Sequence, residues 1–126
     1  MKAPTPTEEN EQRLLADWLD LAGVKWCHVP NGGARVKAVA GKLKAQGVKA
    51  GVPDVLIFDR PPSDPACVGV AFELKRADPR KSRVTVEQAA WLVELGCRGW
   101  ATAVAYGADD AITKLRALGF GARISS

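Results

Sequence analysis

Gly51-Val52-Pro53-Asp54-Val55-Leu56-Ile57-Phe58 and Val68-Gly69-Val70-Ala71-Phe72-Glu73-Leu74-Lys75 are the two stretches on which the fold turns. The first sets a carboxylate directly after a rigid proline turn and then runs apolar for four residues, the pattern of a buried strand. The second begins apolar and finishes charged. Asp59 to Pro65, which separates them, carries three prolines and two aspartates and reads as a loop. If the two strands pair as a hairpin, the start of the first lies beside the end of the second, and Asp54 comes next to Glu73. Side chains alternate along a strand, so Glu73 and Lys75 project together while Leu74 turns into the core.

Working outward, Leu14, Leu15, Trp18, Leu19 and Ala22 recur at three- and four-residue spacing, which predicts an amphipathic helix over Glu8–Ala22 with Thr7 as N-cap and Gly23 as stop. Val24–Val29 reads as a short strand closed by the turn Pro30-Asn31-Gly32-Gly33, and Arg35–Gln46 as a small-residue-rich basic helix. Val86–Leu95 reads as a helix with Ala89, Ala90, Leu92 and Val93 inward. Trp100–Tyr106 reads as a further central strand and Asp109–Leu118 as a closing helix. The order α-β-α-β-β-α-β-α describes an α/β domain on a mixed β-sheet flanked by helices. Met1–Thr7, with two prolines, reads as a disordered lead, and residues 8–126 as one domain.

The chain has 126 residues, 47% hydrophobic and 25% charged, which excludes a disordered tail, a collagen-like chain and a disulfide scaffold. No apolar run approaches the roughly 20 residues a bilayer span needs, and no secretory pattern opens the chain. The expectation is a soluble intracellular protein without a membrane partner. Cys27, Cys67 and Cys97 form no CxxC pair and are odd in number, so they are read as structural thiols, two of them in apolar stretches that favour burial.

The net charge of +4 is unevenly spread. From Gly33 to Pro53 there are five basic residues (Arg35, Lys37, Lys42, Lys44, Lys49) and no acidic one, and Lys75, Arg76, Arg80, Lys81 and Arg83 form a second cluster. Two such patches suit a polyanion, most simply nucleic acid; the alternative is a solvated lysine-rich face.

Phosphate-binding glycine loops and zinc-peptidase and deaminase motifs are all absent. The single histidine, His28, is read as an ordinary core or edge residue. What remains is Asp54, Glu73 and Lys75. Two ionised carboxylates at close range repel unless a divalent cation sits between them, and oxygen-only ligands suit Mg²⁺ or Mn²⁺. Lys75 beside them would hold an attacking water or a phosphate oxygen, and metal, water and lysine are the parts needed to hydrolyse a phosphodiester. Solvated ion pairs at strand ends are the competing account.

The ordered set Gly51-Val52-Pro53-Asp54, Glu73-Leu74-Lys75 and Gln88 resembles the PD-(D/E)XK nuclease superfamily, specifically its VRR-NUC branch, the virus-type replication-repair nucleases. Glu8-xxx-Gln12 leading to Trp18-Leu19, Pro30-Asn31-Gly32-Gly33-x-Arg35 and Gly47-xxx-Gly51 extend the match over about Glu8–Ala105. The resemblance implies a restriction-endonuclease-like core. It implies Asp54, Glu73, the Leu74 backbone carbonyl and Glu8 as metal ligands, and Lys75 orienting the water. Gln88 would reach the site from its helix by water or metal contact. Glu8 is favoured as the helix carboxylate, with Glu11 left open. Asn31, Arg35, Lys37, Lys42, Lys44 and Arg76 would contact DNA.

The expectation is a divalent-metal-dependent, structure-selective DNA endonuclease, acting as a homodimer on four-way (Holliday) junctions or other branched DNA. A partner protein or DNA shape would supply targeting, and phage origin follows from the family. Flap or nicking activity and a catalytically silent DNA-binding module remain the alternatives.

Overall fold

The computed structural model describes residues 6–30 and 40–122. The element order is α1 (Glu8–Ala22), β1 (Trp26–His28), α2 (Ala40–Ala45), β2 (Val55–Ile57), β3 (Val70–Lys75), α3 (Val86–Cys97), β4 (Ala101–Tyr106) and α4 (Ala108–Ala117), with a 3₁₀ turn at Pro79–Lys81. Thr7, at the end of the expected lead, caps α1 by accepting from the Asn10 N–H at 3.1 Å, and Gly23 closes the helix in the left-handed conformation.

The strands form a mixed sheet in the order β1-β2-β3-β4, an architecture of helices around a sheet as the sequence implied. β1–β2 and β2–β3 are antiparallel, and β3–β4 is parallel across a connection that contains α3. β4, expected to be central, is at the end of the strand order among the described residues.

One face of the sheet holds the core. Val55, Ile57, Val70, Phe72 and Leu74 join Leu15 and Leu19 of α1, and Ala108, Ala111 and Leu115 of α4. Leu14, expected in this stripe, is 56% exposed. At about 100° per residue it sits roughly a quarter-turn from the line of Leu15, Leu19 and Trp18. The alternate β3 positions Ala71, Glu73 and Lys75 are also buried, so this strand is covered on both sides.

α3 is apolar nearly all round, which hid its inward face from periodicity. Trp91, Leu92 and Leu95 are half-buried, whereas Ala89, Ala90 and Val93 are exposed. Its N-terminal half lies against the turn before β2: Trp91 Nε1 donates to the Ala50 carbonyl at 3.0 Å. A Cβ on Gly51 would fall 2.7 Å from the Glu87 backbone, and Gly51 has φ +85°. Only glycine meets both demands. Gly51→Ala is therefore expected to cost about 2 kcal/mol or more, read as a fall in the unfolding midpoint, because strain and a backbone clash act together.

The cysteines depart from expectation. Cys27 and Cys97 are exposed and Cys67 half-buried, all free. Cys27 is on a three-residue strand of which only Trp26 is even half-buried, so an apolar neighbourhood in sequence did not translate into burial.

Candidate active site

The β2–β3 register sets the site. Val55 pairs with Phe72, so Asp54, one residue before β2, falls opposite Glu73. The Leu74 N–H donates to Asp54 Oδ2 at 2.9 Å, which pins that carboxylate to the end of β3. Glu73 is fully buried, and neither of its carboxylate oxygens has a donor. Burial above all, then a proton shared with Asp54 and that neighbour's charge, push its carboxyl up to about 9, against the pull of Lys75. With both acids ionised, the buried carboxylate of Glu73 faces the half-buried one of Asp54. Only a shared proton or a cation relieves that.

Lys75, 6% exposed, donates from Nζ to Gln88 Oε1 at 3.0 Å. Gln88 Oε1 also accepts from the Thr85 N–H at 2.9 Å, while Thr85 Oγ1 accepts from the Gln88 N–H at 3.1 Å. Gln88 is thus the third residue of α3 in a reciprocal capping box, and the same oxygen that caps the helix fixes the lysine. The structure joins it to Lys75 rather than to either acid. Gln88→Ala should therefore cost about 1 kcal/mol of stability and also slow any Lys75-dependent reaction by about 10- to 100-fold. Thr85→Ala serves as the control: it weakens the cap without removing the lysine's acceptor, so its rate should stay near the parent's.

Glu8 and Glu11, the two helix candidates, separate clearly. Glu8 lies at the site: partial burial and the Asp54 charge raise its carboxyl, while Lys75, Arg76 and His28 pull it down. Glu11 is buried against Gly107 at the start of α4, where the missing Cβ leaves room for its carboxylate. Three helical positions turn the direction by about 60°, enough to send the two acids to different places.

An open depression of about 370 Å³ borders this array, lined by Glu8, Gln12, His28, Asp54 and Leu74 among others. His28, read from sequence as an ordinary residue, pairs with Val55 across β1–β2, and its Nδ1 donates to the Asp54 carbonyl at 2.9 Å. Because a carbonyl only accepts, Nδ1 carries the hydrogen. Nothing in the sequence distance between residues 28 and 54 announced this neighbour. Gln12 helped carry the family resemblance but was not singled out for the site.

Among the described residues, no three His, Cys, Asp or Glu side chains gather into a ready-made metal site. The donor set is narrower: Asp54 and the unpartnered Glu73, with Glu8 acting on them electrostatically. Two hard, acceptor-only carboxylates with one lysine between Glu73 and Gln88 to offset them fit an oxygen-seeking divalent ion.

Of the residues expected to meet DNA, Lys42 and Lys44 stand exposed on α2. Arg76 donates from Nε to the Pro6 carbonyl at 3.2 Å, and its backbone N–H donates to Ser82 Oγ at 3.3 Å. Asn31, Arg35 and Lys37 lie outside the described residues. No described helix is long and apolar enough to cross a membrane.

Comparison with known proteins identifies the fold and the family. The VRR-NUC domain model matches residues 6–109. A solved structure of a VRR_NUC domain protein superposes with a TM-score of 0.69 at 27% identity, covering 90% of this chain and 88% of that one. No curated protein matches the chain. A match that spans α1 through the start of α4 shows that the chain belongs to the VRR-NUC domain family and has its nuclease-type fold.

Proposed function

We propose that the protein is a divalent-metal-dependent DNA endonuclease that hydrolyses phosphodiester bonds in branched DNA, four-way junctions being the first substrate to try. The observation that carries the reading is the buried, donorless carboxylate of Glu73 facing Asp54, two residues from a buried Lys75. A fold has no structural use for such a pair, because burying unpaired charge opposes stability.

In this reading Asp54, Glu73 and the Leu74 carbonyl hold Mg²⁺ or Mn²⁺, with Glu8 completing the acidic rim. The ion when bound supplies Lewis-acid polarisation of the phosphate and a lowered pKa for water. Lys75, held by Gln88, orients the water and offsets the negative charge that builds on the phosphate. The Leu74 N–H keeps the Asp54 carboxylate oriented, and His28 secures the peptide that bears it. Lys42, Lys44 and Arg76 give salt-dependent attraction to the DNA backbone. Pairing of two copies would suit symmetric cuts across a junction.

The test is cleavage of labelled four-way-junction, flap and linear duplex DNA with Mg²⁺, Mn²⁺ or EDTA. Metal-dependent cutting of branched DNA is the expected result. Binding of the same DNA without cutting under any metal would replace the enzyme by a silent DNA-binding module.

A further inference from the structure

Each donor around the depression can be asked what it bonds to. Arg13 donates to Glu9 at 3.0 Å, Lys75 to Gln88, and His28 Nδ1 to the Asp54 carbonyl. Gln12 differs. Its side-chain Nε2 is buried and has no acceptor, although Gln12 lines the depression. Trp18 Nε1 is also without an acceptor, but Trp18 sits in the hydrophobic core beneath Arg116 and is not part of this lining.

Position explains why Gln12 meets the depression. It follows Glu8 by four residues on α1, so the two lie one above the other on a single helix face, and both meet the depression beside Asp54. A buried amide donor without an acceptor opposes folding, and nothing in the fold repays it. An amide nitrogen is also no ligand for a hard cation, so the acidic pair does not account for it. Its natural complement is a ligand rich in acceptor oxygens that carries negative charge.

We propose that Gln12 is a substrate-binding residue of this site, its Nε2 donating to a non-bridging oxygen of the DNA phosphate that enters beside Asp54 and Glu8. The inference rests on the nuclease reading and adds a neutral donor on the α1 wall. That wall would otherwise offer the phosphate only the acidic Glu8 and an arginine already paired with Glu9.

The test uses Gln12→Met, which keeps length and shape but removes the donor, and Gln12→Glu, which puts acceptors in its place. Both are made in a Glu73→Gln background so that labelled junction DNA is bound but not cut. Fluorescence anisotropy should show binding weakened about tenfold by Gln12→Met and further by Gln12→Glu. The slope of affinity against salt should not change for Gln12→Met, because an amide neutralises no phosphate. The melting temperature of Gln12→Met should equal or exceed its parent's, since an unpaired buried amide has been removed. Unchanged DNA binding would overturn the proposal. So would a lowered melting temperature in both variants, which would mark the amide as part of the fold's own support. If neither the Glu73→Gln parent nor the unsubstituted chain in EDTA binds the junction, the nuclease reading fails first, and that result is distinct from either of the others.

Discussion

Glu73→Gln is expected to abolish metal-dependent cleavage, by about a thousandfold or more, while the chain stays folded and still binds branched DNA. The expected size follows from removing a charged group that acts on the reacting phosphate's counter-charge in a water-poor site, where such groups are worth most. Glutamine is the informative replacement because Glu73 is fully buried: alanine would also open a cavity and blur a catalytic loss with a packing loss. The amide keeps the volume and offers Asp54 a donor, so the folded state gains a hydrogen bond that the parent lacks when both acids are ionised. Single-turnover cleavage and DNA anisotropy on the same preparation check this. Loss of binding in step with loss of cutting would assign Glu73 to DNA contact instead.

The second large effect is on stability against pH. Burial and Asp54 push the Glu73 carboxyl from 4.5 up to about 9. Between these values the folded chain holds a proton that the unfolded chain has released. Stability of the metal-free protein should therefore fall as pH rises across this window, by at most about 1.4 kcal/mol per pH unit from this group. Below the unfolded value the two states are protonated alike and the slope vanishes. Chemical denaturation from pH 5 to 9 in EDTA should show the decline. Glu73→Gln should remove most of it and be the more stable protein at the alkaline end. Mg²⁺ or Mn²⁺ should flatten the parent's curve by neutralising the pair, without effect on the variant's. A parent whose stability does not change over this range would mean that Glu73 is not the buried acid confronting Asp54 that the fold displays.

Much of this was legible in the sequence because it depends on short-range rules. Proline before Asp54 and four apolar residues after it mark a strand that starts on a carboxylate, and strand alternation separates Glu73 and Lys75 from Leu74. Thr7 and Gly23 bracket α1 with cap chemistry that needs no tertiary context. The hairpin reading then places Asp54 beside Glu73 from the sequence alone, since an antiparallel pair joined in sequence has few registers that keep Val55, Ile57, Val70 and Phe72 on one face.

Other features are set by packing. α3 is apolar nearly all round, so its periodicity named Leu92 correctly but Ala89, Ala90 and Val93 wrongly, and only its contact with the Gly51 turn and β4 added Trp91 and Leu95. The choice between Glu8 and Glu11 needed the position of α1 across the strand ends, where one helical face meets Asp54 and another meets Gly107. His28 became a neighbour of Asp54 through the β1–β2 register, a pairing between strands some 26 residues apart. Gln88 sits where a capping box demands a glutamine, yet its grip on Lys75 depends on how α3 lies against β3. The sequence by itself determined which residues carry charge, where strands and caps begin, and which acids the hairpin brings together, because those follow from backbone sterics and alternation. The tertiary structure alone decided which of them lost their water and their partners, because desolvation is a property of what packs around a group and not of the group itself.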